Sequence, residues 1–181
     1  MLQYKYKYLM PKKLWEPSKE LINNSNLFAY EKFISKYYKY NFSRNYKKLL
    51  NWSVKNPKDF WNSIWEYFKV VGKKTDKFKL TKDLINSKFF VNSKLNFAEN
   101  LLAKNSNQKA ITFVSENGYR EQKSWKELNI DVKKIITFYK KINISEKDRI
   151  AAYTPNQIET VECFLGASAI GSIWSSCSPD F

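Results

Sequence analysis

Taken as a pattern of apolar and polar positions, the first half of the chain is helical. In "LWEPSKELINNSNLFAYEKFISKYY", Pro17-Ser18 stands ahead of a helical register, and Leu27, Tyr30, Ile34 and Tyr37 recur at three- and four-residue steps. "NPKDFWNSIWEYFKV" predicts the strongest helix: Asn56 is the expected cap, Pro57 suits the first turn, and Asp59 complements the helix dipole. Phe60, Trp61, Ile64, Trp65 and Phe68 make a wide apolar stripe, and Gly72 is the expected stop. The periodicity then fades. "VGKKTDKFKLTKDLINSKFFVNSKLNF" reads as an extended basic connector, followed by a short helix from about Asn96.

The second half changes period. "KAITFVSENGYREQKSW" alternates around Asn117-Gly118, a dipeptide suited to a hairpin turn. "SWKELNIDVKKIITFYKKI" is an amphipathic helix opened by a capping box, Ser124 with Glu127 three residues on. "DRIAAYTP" reads as a strand and "NQIETVECFLGASAI" as a helix in which Asn156 and Glu159 repeat the capping-box spacing; "GSIWSS" is the next strand. Strand, helix, strand with short connections implies a parallel sheet. The expected fold class is α/β: a helical N-terminal cap, a β-hairpin, then the first βαβ unit of a parallel sheet. The chain shows no internal repeat and no low-complexity linker.

Composition adds a core and a charge asymmetry. Aromatic residues make up 17% of 181 residues, which argues against disorder. The formal net charge is +15, and it is uneven: residues 1–90 carry 20 basic against 7 acidic groups, residues 91–181 only 12 against 10. Such a half invites a nucleic-acid or membrane-surface reading. Arginine is confined to Arg44, Arg120 and Arg149, however, while Lys, Asn, Ile, Tyr and Phe are abundant together, as an A/T-rich coding bias makes them. Lysine lacks the planar fork that reads phosphate and guanine, so a nucleic-acid partner is not expected. The aromatic–basic strings "YKYKYLMPKKLW" and "ISKYYKYNFSRNYKK" are read as aromatics packed on the domain with lysines snorkelling to water, in preference to a base-stacking platform.

Several chemistries are excluded by residue type. The chain has no histidine, which removes Ser-His-Asp and Cys-His arrangements and histidine metal sites. Cys163 and Cys177 are too few for a disulfide framework. The N-terminus lacks the apolar core of a signal peptide, and the longest weakly polar run, "CFLGASAIGSIW", is too short to span a bilayer. A soluble cytoplasmic protein without a membrane partner is expected. "GASAIGSI" has the four-residue gap of a phosphate loop, but Ser172-Ile173 stands where the lysine pair belongs, so close packing is the expectation for Gly166 and Gly171. Cys177 has no activating base or cation nearby in sequence, and Cys163 reads as core. Glu159 is assigned to capping, Glu162 to solvent, and Asp148 to a local ion pair with Arg149. No catalytic and no metal-ligating residue is assigned. The small polar run Ser175-Ser176-Cys177-Ser178 lies at the C-terminal end of a parallel strand, where open α/β sheets bind ligands, and is expected to form part of a site wall.

Several strings together resemble one family. "YKKLLNWSVKNPKDFWNSIWEYFKV", "LNFAENLL" and "AITFVSENG…SWKELNIDV" are similar to the N-terminal cap, entry segment and hairpin-plus-helix of adenylate-forming acyl-CoA synthetases of the acetyl-CoA synthetase type. "DRIAAYTPNQIETVECFLGASAIGSIWSSCSPDF" is the most specific part, and its Trp174-Ser175-Ser176-Cys177-Ser178-Pro179-Asp180-Phe181 end resembles the acetoacetate–CoA ligases within that superfamily. The resemblance runs from about Leu14 to the end. It implies residues 1–98 as the helical cap region and 99–181 as the start of the AMP-binding domain. It also implies use of ATP, Mg²⁺ and coenzyme A, with acetoacetate as the small-molecule substrate and an acyl-adenylate that coenzyme A thiolate attacks. By position it places Ser178, Pro179 and Asp180 near the coenzyme A region. Family members are several times as long, and their phosphate loop, ribose aspartate and catalytic lysine match no residue here. The chain therefore reads as an N-terminal fragment without ligase activity of its own. An acetyl- or propionyl-CoA synthetase fragment and a stand-alone basic nucleic-acid-binding module are the alternatives.

Overall fold

Ser18, Ser25 and Asn45 each open a helix by accepting a backbone N–H from three residues on. Ser18 Oγ takes Leu21 N–H at 3.1 Å and starts α1 (Lys19–Asn23), while Ser25 Oγ takes Phe28 N–H at 3.2 Å and starts α2 (Asn26–Tyr38). The helical register expected after Pro17-Ser18 is thus broken at Asn24-Ser25, where a second cap intervenes. Asn45 Oδ1 takes Lys48 N–H at 3.2 Å and starts α3 (Tyr46–Lys55). The computed structural model describes residues 14–179. Its chain divides into two compact units at Phe68/Lys69.

In the first unit, α4 (Pro57–Tyr67) follows with Pro57 in its first turn, as expected. Asn56 does not cap it with its side chain. Its Nδ2 instead donates to the Trp52 carbonyl at 3.1 Å, so the amide closes the end of α3 rather than the start of α4. The core consists of Tyr30, Ile34, Phe42, Leu49 and Trp52, with Phe33, Tyr38, Phe60, Ile64 and Tyr67 packed on it. The Trp52 ring lies 5.5 Å from Phe42 and 6.2 Å from Phe60, the second edge-on. Tyr30 and Ser63 share a buried 2.6 Å hydrogen bond, and Ser63 Oγ also donates to the Phe60 carbonyl. Burial raises the Tyr30 hydroxyl above its ordinary pKa. Each expected apolar stripe is only partly covered. Tyr30 and Ile34 are inside while Leu27 and Tyr37 are exposed, and Phe60 and Ile64 are half-buried while Trp61 and Phe68 face solvent.

The second unit begins with an arm. β1 (Gly72–Lys73) pairs antiparallel with β2 (Lys94–Leu95), and a further antiparallel bridge joins Lys79 to Lys88. Gly72 is not the stop of α4, which ends at Tyr67 with Phe68 as its C-cap. It is the point of closest strand approach: a Cβ there would meet the Lys94 carbonyl oxygen at 2.6 Å. The short helix expected from Asn96 is α5 (Phe97–Leu101), capped by Asn96 Oδ1 on Glu99 N–H at 3.0 Å.

β3 (Lys109–Val114) and β4 (Arg120–Ser124) form the expected antiparallel hairpin. Gly118 turns it with φ +85°, and Asn117 Oδ1 accepts from Tyr119 N–H. The capping box is present: Ser124 Oγ accepts from Glu127 N–H and the Glu127 carboxylate accepts from Ser124 N–H, starting α6 (Trp125–Lys141). β5 (Arg149–Tyr153), α7 (Ile158–Ala169) and β6 (Ile173–Cys177) make the βαβ unit, with β5 and β6 parallel and Tyr153 opposite Cys177. Asn156 does not open α7; Gln157 occupies the N-cap with no side-chain bond, so the second capping box is absent. The core joins Ala98 of α5, Leu128 and Val132 of α6 and Leu165 of α7. Gly166 lets α7 approach α6, because a Cβ there would sit 2.6 Å from Ile135 Cγ2. The glycines of "GASAIGSI" thus serve packing and a turn, Gly171 having φ +77°. The α/β expectation, with a helical N-terminal region before a hairpin and a βαβ unit, is what forms, and each sheet among the described residues has two strands. The packing break falls at Phe68/Lys69, whereas α5 runs continuously through residues 98 and 99.

Candidate functional site

The C-terminal ends of β5 and β6 lie side by side, so the segments leaving them share one edge. Tyr153 Oη donates to the Pro179 carbonyl at 2.9 Å, and Thr154 N–H donates to the Cys177 carbonyl at 3.2 Å. These two bonds carry the parallel pairing past the strands and hold Pro179 beside the β5–α7 loop. That loop is tied by Thr160, whose Oγ1 lies 2.8 Å from Thr154 Oγ1 and donates to the Pro155 carbonyl at 2.8 Å. Across Pro155 opens a groove of 630 Å³ between β3 and the start of α7, lined by Ile111–Glu116, Pro155–Ile158 and Val161. Its volume falls in the range of small-molecule sites.

Two of the three residues assigned by resemblance, Ser178 and Pro179, lie at this edge, Pro179 exposed. Asp180 lies outside the described residues. Ser175, Ser176 and Cys177 are exposed on β6, and Ser176 Oγ accepts from Trp174 Nε1 at 3.2 Å. Cys177 is a free, exposed thiol, and no hydrogen bond to its Sγ is formed among the described residues. Cys163 is half-buried, and its carbonyl accepts from the Tyr139 hydroxyl at 3.3 Å. Burial, with Cys163 beside it, raises that hydroxyl above the usual range. Asp148 does not pair with Arg149; its carboxylate accepts from Ser145 N–H at 2.7 Å and from Ser145 Oγ, and these bonds lower its pKa.

The largest departure from expectation is Glu162, which is not solvated. Only 6% of its side chain is exposed, and Lys123 Nζ stands 2.7 Å from its Oε1 and 2.8 Å from Asp131 Oδ2. Lys134 closes the far side of Asp131 at 2.8 Å. Burial by itself pulls the Lys123 ammonium down, but the hydrogen bonds it donates to both carboxylates outweigh it and hold the group above its ordinary value. The Lys123 and Lys134 contacts correspondingly lower Asp131. The signal was present in the register: Glu162 follows the buried Ile158 by four residues and precedes the buried Leu165 by three, so it lies on the inward face of α7.

The described residues offer no cradle for nucleotide phosphates. Both glycines of the only phosphate-loop-like string are engaged in packing and a turn, and no group of three or more His, Cys, Asp or Glu side chains among the described residues is arranged to hold a metal ion. No helix among them is long and apolar enough to cross a membrane.

The family described as the acetyl-coenzyme A synthetase N-terminus matches residues 46–101. The chain is similar to the N-terminal part of acyl-CoA synthetases. Its relatives include acetoacetyl-CoA synthetases: it is 34% identical to that of Rhizobium meliloti over 93% of this chain and 26% of the relative, and 38% identical to that of Xenopus tropicalis over 76% of this chain and 21% of the relative. The solved acetoacetyl-CoA synthetase of Streptomyces lividans shares the fold, with a TM-score of 0.85 and 24% identity over 94% of this chain and 27% of that one. The chain thus spans about a quarter of the length of the curated relatives it matches.

Proposed function

We propose that this chain supplies the N-terminal region of an ATP-dependent acetoacetate–CoA ligase, which converts acetoacetate, ATP and coenzyme A to acetoacetyl-CoA, AMP and pyrophosphate. The observation that carries the reading is 34–38% identity to acetoacetyl-CoA synthetases across most of the chain. In this reading residues 1–98 form the cap region and 99–181 start the AMP-binding domain. Ser178, Pro179 and Asp180 lie on the coenzyme A side, ATP and Mg²⁺ are bound by residues outside this chain, and the protein works in the cytoplasm. The chain's own contribution is a scaffold: the Tyr153–Pro179 and Thr154–Cys177 bonds fix the turn after β6, and α6 packed on α7 supports the sheet beneath it. The 181 residues alone have no ligase activity.

Two chimeras test this. The chain replaces its matched region in the Rhizobium meliloti acetoacetyl-CoA synthetase and, separately, the corresponding region of an acetyl-CoA synthetase. Circular dichroism confirms that each is folded, and acid-dependent pyrophosphate release is measured. Activity with acetoacetate in the first and none with acetate in the second is expected. A folded pair showing the reverse would establish the acetyl-CoA synthetase reading instead.

A further inference from the structure

The basic arm from Gly72 to Leu95 is not used by the reading above, and its strand register is unusual. Between those residues stand seven lysines and two aspartates. Lys73 lies directly opposite Lys94 across the β1–β2 pair, and Lys79 lies directly opposite Lys88 across the second bridge. Like charges in direct cross-strand register destabilise a pair. All four lysines are exposed, and none has a carboxylate partner among the described residues. A coding bias raises the number of lysines in a chain but does not set them face to face twice on one arm.

The turn of the arm adds an apolar feature. Ile85, in the one-turn helix Leu84–Asn86, is 90% exposed, and Leu80 is 44% exposed nearby. Asp83, the acidic residue of this turn, is occupied internally: its Oδ1 accepts from Ile85 N–H at 3.0 Å and its Oδ2 from Asn86 Nδ2 at 2.7 Å. The end of the arm therefore presents an aliphatic side chain amid Lys79, Lys82 and Lys88. Lysine stems tolerate an apolar boundary while their ammonium groups stay in water. Aliphatic exposure gains nothing on a nucleic acid, and the arm has no arginine for bidentate phosphate contacts.

We propose that this arm is a peripheral docking element for an anionic lipid surface, with the paired lysines meeting lipid headgroups and Ile85 entering the headgroup–acyl boundary. The expectation of no membrane partner rested on the lack of a spanning segment, and lying on a membrane requires none. The counter-charge relieves both lysine pairs, so the bound arm is also the better-ordered one.

Co-sedimentation with vesicles tests the proposal, comparing phosphatidylcholine alone with phosphatidylcholine containing phosphatidylserine. The 181-residue chain is expected to sediment with the second and not the first, and to be released by salt. Lys88→Glu gives Lys79 an opposite charge across the bridge, so it steadies the arm while removing a contact. Loss of one lysine lowers vesicle affinity roughly five-fold, and the charge reversal lowers it further. Ile85→Ser weakens binding to vesicles and leaves binding to single-stranded RNA or heparin unchanged. Sedimentation independent of phosphatidylserine, equal vesicle binding by Lys88→Glu and the parent, or polyanion binding without vesicle binding would each overturn the proposal.

Discussion

Replacing Lys123 with methionine tests the buried ion cluster directly, because it keeps the length of the side chain and removes only the ammonium. Asp131 retains Lys134 at 2.8 Å and 24% exposure, so water and a second cation cover its loss. Glu162 has neither: its side chain is 6% exposed and Lys123 is its one cation among the described residues. Removing one partner of a fully buried pair costs about 3–5 kcal/mol, because the other charge is left without compensation. Lys123 is 19% exposed, so water reaches part of the site and the expected cost is about 2–4 kcal/mol. With a urea m-value of about 2 kcal/mol/M, the midpoint falls by roughly 1–2 M. Urea unfolding at neutral pH, followed by hydrogen exchange in α6 and α7, separates the second unit from the first. The double variant Lys123→Met with Glu162→Leu is expected to recover most of the loss, since an apolar replacement of the whole pair leaves no buried charge. A single variant within about 0.5 kcal/mol of the parent, or a double variant no better than the single, would refute the argument that Glu162 is held by Lys123.

Three further outcomes follow from the same structure. Gly166→Ala drives a Cβ to 2.6 Å from Ile135 Cγ2 and is expected to cost about 1–3 kcal/mol in thermal or urea unfolding, with Ile135→Leu, which lacks the Cγ2 branch, restoring part of it. Glu127 and Asp131 are both held below the ordinary carboxylate pKa, Glu127 by hydrogen bonds from Ser124 and Asp131 by those from Lys123 and Lys134. Their stabilisation is complete above the unfolded value of about 4 and is lost as pH falls through the lower folded values, so acid titration of the unfolding midpoint should drop in that window, and Ser124→Ala, which keeps the backbone N–H bond and removes the hydroxyl one, should reduce the Glu127 part of it without abolishing it. Cys177 is exposed and Cys163 half-buried, so a thiol reagent should label Cys177 first; Cys177→Ser in the active chimera should leave turnover unchanged, and a large loss would restore a chemical role for the thiol.

The sequence alone determined what is local. Helix starts are written in contacts between residues three or four apart, and Ser18, Asn96 and Ser124 with Glu127 sit where the pattern placed them. The hairpin and the βαβ order are legible for the same reason, since alternation and turn residues act within a few positions. The local rule misleads where a side chain has two partners in reach. Asn56 closes the helix behind it instead of opening the one ahead, and Asn156 lies one residue short of the α7 cap. What only the tertiary structure decided is pairing across long separations. Lys123 and Glu162 stand 39 residues apart and meet because α7 packs on α6 and beside β3, the strand paired with β4, which turned a carboxylate assigned to solvent into a buried partner. The register of the arm, which sets Lys73 against Lys94 and Lys79 against Lys88, is likewise invisible in composition, because charge counts carry no information about which residues face each other. The turn after β6 is fixed in the same way: Tyr153 and Pro179 are 26 residues apart, and the parallel pairing of two strands brings the phenol to the carbonyl.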